Sequence, residues 1–272
     1  MNSINFIDSY LTRITIFRMV LYYLICLVAA AIGFSVIGIL RYDPIILTLS
    51  VLFLVFFSGF VNDLLGRFFS AAVRFESVYI TALILALILP PVRVVSDFLI
   101  YGLIVIVAMS SKYIFAIRNK HIFNPAAIAV FISSLVLNFP ATWWVGTTAM
   151  APFVFIGGLL VVRKLRREKM VLSFLITAFV FSFIFAGFTG ANMFTYAEKI
   201  VFHSSLLFLA FAMLTDPITS PHTPSLQVWF GIIVGFLFTP QLRVGNLYTT
   251  PELALLIGNI FSFFVSFFPG LA

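Results

Sequence analysis

Long apolar runs alternate along this chain with short segments rich in charged residues, proline and glycine. The runs cover about residues 17–40, 44–61, 77–90, 94–111, 125–137, 149–162, 170–188, 202–215, 227–239 and 252–268. A helix needs roughly 20 mostly apolar residues to cross a bilayer, and several of these runs are shorter and end or begin at a proline. Short apolar segments of that kind are typical of broken or re-entrant helices. The pattern predicts an all-α integral membrane protein with about ten transmembrane helices.

The proline-bounded landmarks occur twice. Ser77–Pro90 and Ser204–Pro217 share the same serine-to-proline spacing, and Asn124-Pro125 and Thr250-Pro251 follow them at nearly equal distances, so the offset is about 127 residues. Five helices per half is an odd number, so the second half must enter the membrane inverted. Chance matching within low-diversity apolar sequence is the alternative. We therefore predict two inverted five-helix repeats.

Three segments follow from this division. Residues 1–16 form a predicted amphipathic helix on the membrane surface, residues 17–140 the first repeat and residues 141–272 the second. Charged residues make up only 9% of the chain, against about 25% in soluble domains. The loops are too short for a separate catalytic domain, so the chain is at most a non-autonomous subunit of an enzyme.

Basic residues predict the orientation. With the N-terminus inside, 12 lysines and arginines lie in the cytoplasm and only Arg41, Arg93, Lys199 and Arg243 lie outside, as the positive-inside rule requires. The net charge of +7 therefore reports topology rather than nucleic-acid binding. The expected location is the plasma (inner) membrane, with both termini in the cytoplasm.

Two motifs carry candidate chemistry. Asn124-Pro125 opens a helix after His121, and asparagine there caps free N–H groups. This is either a cap alone or an anion site, with positive charge nearby from Lys112, Arg118 and Lys120. Thr215-Asp216-Pro217 ends a short apolar segment, and an acid at membrane depth normally has a partner or a task. Asp216 is expected to cap a turn, bind a cation or contact a cofactor. The sequence indicates no metal-ligand cluster and no catalytic triad.

At these motifs the chain resembles the NqrB/RnfD family, the related membrane subunits of the sodium-pumping NADH:quinone oxidoreductase and of the Rnf ferredoxin:NAD oxidoreductase. The similar residues are Ser77 to Pro91 with Thr81, then Lys112, His121 to Ala126, Gly157-Gly158 and Met213 to Pro221, within about residues 40–268. The resemblance implies an inverted-repeat fold like that of urea transporters. It also implies electron transfer through flavins, coupled to sodium or proton translocation.

Two departures from the family pattern bear on the cofactor. The family attaches FMN covalently to a threonine in a Ser-Gly-Ala-Thr-type motif, and the corresponding connection here lacks that motif, leaving Thr147 or Thr148 as substitutes. The glycine-rich approach to Asn-Pro-Ala is replaced by Phe115–Lys120. The expectation is a non-covalent flavin (FMN or riboflavin), or a flavin that has moved to a partner.

The preferred hypothesis is a membrane-embedded subunit of an Rnf/Nqr-like electron transport complex. A flavin would lie between the halves, and its candidate site residues are Asn124, Pro125, Thr215, Asp216, Lys112, His121, Ser77 and Thr81. Its expected partners are other membrane subunits and a cytoplasmic NAD(P)H- or ferredoxin-linked flavoprotein or iron–sulfur subunit. The alternative is a non-redox transporter or channel for a small solute or cation. An assembly subunit without a ligand is the third possibility.

Overall fold

The computed structural model is almost entirely helical. It describes residues 14–71, 74–117, 120–188, 190, 192–202, 205–239, 242–244 and 247–267. The first half contains α1 (Ile16–Val36), α2 (Pro44–Phe69), α3 (Phe75–Ile88), α4 (Asp97–Ile114), a hairpin of β1 (Ala116–Ile117) and β2 (Lys120–His121), and α5 (Pro125–Val136). The predicted amphipathic segment 1–16 lies outside the described residues as far as residue 13, as do Arg118, His203 and Ser204.

The second half repeats this order with small additions. It contains α6 (Ala151–Leu165), α7 (Glu168–Phe188), α8 (Met193–Phe202), α9 (Leu206–Phe208), a π-helix (Leu209–Met213), α10 (Pro224–Leu237), a hairpin of β3 (Arg243–Val244) and β4 (Leu247–Tyr248), and α11 (Pro251–Phe267). Every apolar run predicted from sequence coincides with a helical segment. The apolar pattern did not predict α8, the π-helix or the two hairpins.

Helix lengths divide the elements into two groups. Helices α1, α2, α4 and α7 are long and apolar enough to cross a membrane, and α8 with the α9–π segment forms a pair bent by 50° that counts as a fifth span if it is one broken helix. The apolar helices α3, α5 and α10 have only 14, 12 and 14 residues. At 1.5 Å per residue they are about 18–21 Å long, less than the roughly 30 Å hydrocarbon core. The protein is a multi-pass membrane protein, and ten crossings stay a prediction.

Helix starts in this fold are fixed by proline and a capping side chain. Asp43 precedes Pro44, and its Oδ1 accepts hydrogen bonds from the N–H groups of Ile45 and Ile46 at 2.8 and 3.0 Å. The helices α5, α10 and α11 also begin at a proline, whose missing N–H costs nothing in the first turn. These starts direct the short helices into the bundle from its two ends.

Helix α3 forms the centre of the bundle. Residues 81–89 are all buried, and α3 contacts α1, α2 and α5. Its last turn is covered by the connection after α5, where the N–H groups of Thr142 and Trp143 donate to the Ile88 carbonyl at 2.9 and 3.0 Å. Its first turn lies at the opposite end, beside the candidate site.

Candidate functional site

Seven of the eight residues proposed from sequence line one narrow crevice. It lies between the starts of α1, α3 and α5 and the segment that follows the π-helix. These residues are Ser77, Thr81, His121, Asn124, Pro125, Thr215 and Asp216, and the apolar wall opposite them includes Phe17 and Val20. The structure brings both sequence motifs together, although they are about 90 residues apart. Their functional role stays a prediction.

Lys112, the eighth residue, stands behind the crevice and bonds to one of its walls. It lies in the last turn of α4 and is only 4% exposed. Its Nζ donates to the Ser77 carbonyl at 2.7 Å and to Ser77 Oγ at 3.2 Å. An ammonium group in a membrane bundle is costly unless it is paired, and here it also interacts electrostatically with Asp216. Lys112 therefore links α4, α3 and the acid of the crevice.

Asp216 has a local and a distant partner. Its Oδ1 accepts a hydrogen bond from the Ile218 N–H at 3.0 Å, which confirms the expected turn cap. Its Oδ2 lies 3.8 Å from His121 Nε2, a distance for an ion pair rather than a hydrogen bond. The contact joins the strand before α5 to the break after the π-helix. The carboxylate is therefore surrounded by two groups that can carry positive charge, His121 and Lys112.

The π-helix sets the position of this acid. Leu214 donates its N–H to the Leu209 carbonyl at 2.8 Å, one residue further back than in an α-helix. Thr215 Oγ1 donates to the Phe211 carbonyl at 2.7 Å. The proton of this hydroxyl is therefore bound to the backbone of its own helix end. π-Helical turns are rare and frequently occur at functional sites. The widened turn ends the helix so that Asp216 faces the start of α5.

The side-chain amide of Asn259 connects the start of α5 to α11 and to the segment after the π-helix. Asn124 caps α5, since its Oδ1 accepts from the N–H groups of Ala126 and Ala127 at 3.1 and 3.2 Å, and the predicted cap is confirmed. The N–H of Asn124 donates to Asn259 Oδ1 at 2.9 Å, and Asn259 Nδ2 donates to the Thr219 carbonyl at 3.3 Å. Asn259 is fully buried in α11. It joins α5, α11 and the Asp216 segment.

The crevice is small for a flavin. Its cavity volume is about 30 Å³, enough for about two water molecules, whereas pockets for molecules of drug size have roughly 300–1,000 Å³. The first N–H groups of α5 are already capped by Asn124, and Lys112 is bound to Ser77. The residues as placed do not fit an isoalloxazine ring.

A second, more open cavity adjoins the crevice. Its volume is about 200 Å³, and it shares His121 and Ile218 with the crevice. Its wall combines apolar side chains with polar and basic ones, among them Lys120, His222 and Ser262. Partial burial, with Lys120 and Arg167 nearby, lowers the pKa of His222. Basic side chains therefore lie at the mouth of the site.

Sequence reasoning missed two residues that build the site. Arg167 is one of the 12 basic residues that the charge pattern assigns to the cytoplasm. It is 6% exposed, and its Nη1 donates to the Pro221 carbonyl, which fastens the α6–α7 connection to the Asp216 segment. Asn259 was not singled out. Its signal is a lone amide inside an apolar helix, which normally requires a hydrogen-bond partner in the bundle.

Comparison with known proteins points to one family. Residues 145–268 match the sequence profile of the NQR2, RnfD, RnfE family. A curated relative, the D subunit of the ion-translocating oxidoreductase complex of Actinobacillus succinogenes, is 31% identical over 107 residues, which are 39% of this chain and 30% of that protein. The match thus spans less than a third of the relative's length.

Proposed function

We propose that this chain, a divergent member of the NQR2, RnfD, RnfE family, serves as a membrane subunit of an ion-translocating oxidoreductase complex. Its relative is named as one subunit of such a complex, and the chain itself has no nucleotide-binding loop motif in its sequence. Electrons would reach the complex through partner subunits. The part left to this chain is to provide ionisable groups inside the membrane.

The observation that carries the proposal is the group of ionisable residues at the break between the π-helix and α10. Asp216, His121 and Lys112 come from three separate elements and meet beside two helix ends. Ionisable side chains within a membrane are expensive and usually mark an ion or proton pathway. Broken helices that meet near the middle of an inverted repeat form binding sites in many transporters.

The proposed architecture is two inverted halves, as the sequence repeat predicts. Support comes from matching contacts in the two halves: α1 packs on α3 as α6 packs on the π-helix, α2 packs on α4 as α7 packs on α10, and α4 packs on α5 as α10 packs on α11. Between the halves, α1 contacts α6 and α5 contacts α11. Contacts between corresponding helices are those that a two-fold axis generates.

We propose that the partner with the redox centre docks on the basic end of the bundle. Lys120, Arg166 and Lys169 are exposed there, beside the cavity that leads to the crevice. An acidic cytoplasmic subunit would be attracted to this surface. Anionic lipid headgroups are the competing occupant.

We further propose that the flavin of the complex belongs to a partner subunit, because the crevice is too narrow for the ring. The test is an absorption and fluorescence spectrum of the purified chain, repeated after acid precipitation. A colourless folded protein is the expected result. Flavin released into the supernatant would show non-covalent binding and contradict this assignment. Flavin retained on the precipitate would direct attention to Thr147 and Thr148.

The test of the proposed function starts from native membranes. The tagged full chain should co-purify with other membrane subunits and with a flavin or iron–sulfur protein. In vesicles, NADH- or ferredoxin-driven ion uptake should be lost in Asp216→Asn, whereas the exposed Asp63→Asn variant should retain it. Undiminished uptake in Asp216→Asn would remove this acid from the ion pathway.

The non-redox alternative also has one observation in its favour. A crevice for about two water molecules suits a small cation or solute better than a flavin. If the chain purifies without partners and conducts a cation or small solute in liposomes, the transporter hypothesis replaces the redox subunit. If it does neither, an assembly role remains.

A further inference from the structure

Glu252 is a buried carboxylic acid that the crevice does not use. It lies in the first turn of α11, and only 3% of its surface is exposed. Trp143 and Thr250 lie near its carboxylate, where their donor groups favour the ionised form. The Oε2 atom nevertheless has no hydrogen-bond partner. A buried acceptor atom without a partner costs free energy, so this oxygen is placed for something that the protein chain does not supply.

The helices that pack against α11 carry no charged residue that could pair with Glu252. Helix α11 packs against α5 and α10, and neither these helices nor the connection 138–150, which carries Trp143, contains an Asp, Glu, Lys, Arg or His in its sequence. The hairpin before α11 contains Arg243 and Tyr248. An ionised carboxylate in such a place needs a bound cation to balance its charge. A protonated carboxylate already carries such a cation, namely H⁺.

Trp143, a neighbour of this acid, has an unusual backbone conformation. Its φ is +49°, a left-handed backbone conformation that is unfavourable for a bulky side chain. It is 8% exposed, and its N–H donates to the Ile88 carbonyl at the end of α3. Strain of this kind persists where the surrounding structure fixes it, and it clusters at functional sites. Trp143 thereby connects Glu252 to the last turn of α3.

The location mirrors the crevice. At one end of α3, Ser77 is bonded to Lys112, whose charge interacts with Asp216. At the other end, Ile88 is bonded to Trp143, which lies near Glu252. Ser77 and Ile88 are about 16 Å apart along the helix axis at 1.5 Å per residue. Thr250-Pro251 is the repeat partner of Asn124-Pro125. Each end of α3 thus combines a helix start with one acid, which is half-buried at Asp216 and buried at Glu252.

We propose that Glu252 is the binding site for a single small monovalent cation, H⁺ or Na⁺, at the end of the bundle opposite Asp216. This inference rests on the proposed function and adds to it a second binding site for the translocated ion. Hydroxyl oxygens without a hydrogen-bond partner occur in the same region at Thr147 and at Thr239, whose carbonyl accepts from Thr249. Within the described residues no group of three His, Cys, Asp or Glu side chains converges, so a multiply charged metal ion lacks ligands.

The test is infrared spectroscopy of the full chain alone in detergent, titrated with pH and with NaCl. The carbonyl stretch of a protonated carboxylic acid should appear at neutral pH and disappear as the pH rises. Glu252→Gln, which preserves the shape of the side chain, should lose an amplitude of one group per chain. Glu198→Gln, at an exposed position in α8, is the matched control and should keep it.

The NaCl titration distinguishes the two cations. A band that shrinks as Na⁺ rises at constant pH indicates competition and hence a sodium site, and a band indifferent to Na⁺ indicates a proton site. As a second variant, Trp143→Phe removes the indole N–H that favours the ionised carboxylate, so the band should persist to higher pH. The proposal is wrong if the protein shows no Glu252-dependent band at any pH and no Glu252-dependent stabilisation by Na⁺. Because no partner is present, failure here leaves membership of the complex untouched.

Discussion

Lys112 is the residue on which the charge balance of the crevice depends most directly. It brings an ammonium group to a helix end inside the bundle and satisfies it with two oxygens of Ser77. Removing one partner of a buried pair usually costs more than removing both, because a single buried charge is left behind. The same logic applies to Asp216, which interacts with Lys112 through space.

We expect Lys112→Met and Asp216→Asn each to destabilise the protein, and the double variant to be less destabilised than the sum of the two. The coupling should be about 1–3 kcal/mol, as for groups in one network. Thermal unfolding in detergent measures all three proteins together with the wild type. Exact additivity would mean that the two charges act independently.

Asn259 gives a second prediction at the same scale. Asn259→Leu leaves the Asn124 N–H and the Thr219 carbonyl without their partner, at a cost of roughly 1–3 kcal/mol for each buried group. We expect a clear loss of thermal stability in detergent, and little change for Ser266→Ala, an exposed position on the same helix. Equal behaviour of the two variants would show that the Asn259 amide is dispensable.

Sequence reasoning reached local residue roles but not the distant pairs. The cap at Asn124 and the turn at Asp216 follow from neighbours two or three residues away, and both are confirmed. The partners Lys112–Ser77 and Asn124–Asn259 are separated by 35 and 135 residues. No local pattern encodes which helix ends meet, because that depends on the packing of the whole bundle.

At the scale of elements, glycine determines the closest helix pair. A Cβ added at Gly231 in α10 would lie 2.5 Å from the Met170 carbonyl oxygen of α7, and one added at Gly235 would lie 2.6 Å from the Phe174 carbonyl oxygen. Small residues four apart let membrane helices approach closely. The apolar pattern predicted both helices but not their contact, since any pair of apolar faces satisfies it equally.

We expect Gly231→Ala to destabilise the protein by about 1–3 kcal/mol through overpacking. Gly33→Ala is the matched control, since nothing lies within 4 Å of the added carbon in α1, and there alanine should be neutral or stabilising by roughly 0.5–1 kcal/mol. Thermal unfolding of both variants in detergent provides the comparison. A stable Gly231→Ala protein would mean that α7 and α10 can move apart without cost.

At the scale of the whole molecule, the two ends of the helix bundle differ in the side chains that make contacts there. One end contains Arg18 beside Glu76, Lys112 beside Ser77 and Arg167 beside Pro221. The other contains Tyr42 against Trp144 and the connection that covers Ile88. Basic residues concentrate at the first end, which the positive-inside rule assigns to the cytoplasm. The sequence predicted this charge asymmetry, but only side-specific labelling establishes the orientation.

The orientation is testable because the chain has a single cysteine, Cys26. In a Cys26→Ser background, cysteines placed at the exposed positions Lys120 and His222 should react with a membrane-impermeant maleimide only in inverted vesicles. Cysteines at the exposed positions Arg41 and Arg93 should react in intact cells. Between Arg93 and Lys120 the chain passes only through α4, and between Lys120 and His222 it makes an even number of crossings if the second half is inverted as proposed. Labelling of Lys120 and His222 from opposite sides would therefore refute the inverted repeat, whereas a uniform reversal of all four positions would overturn only the orientation.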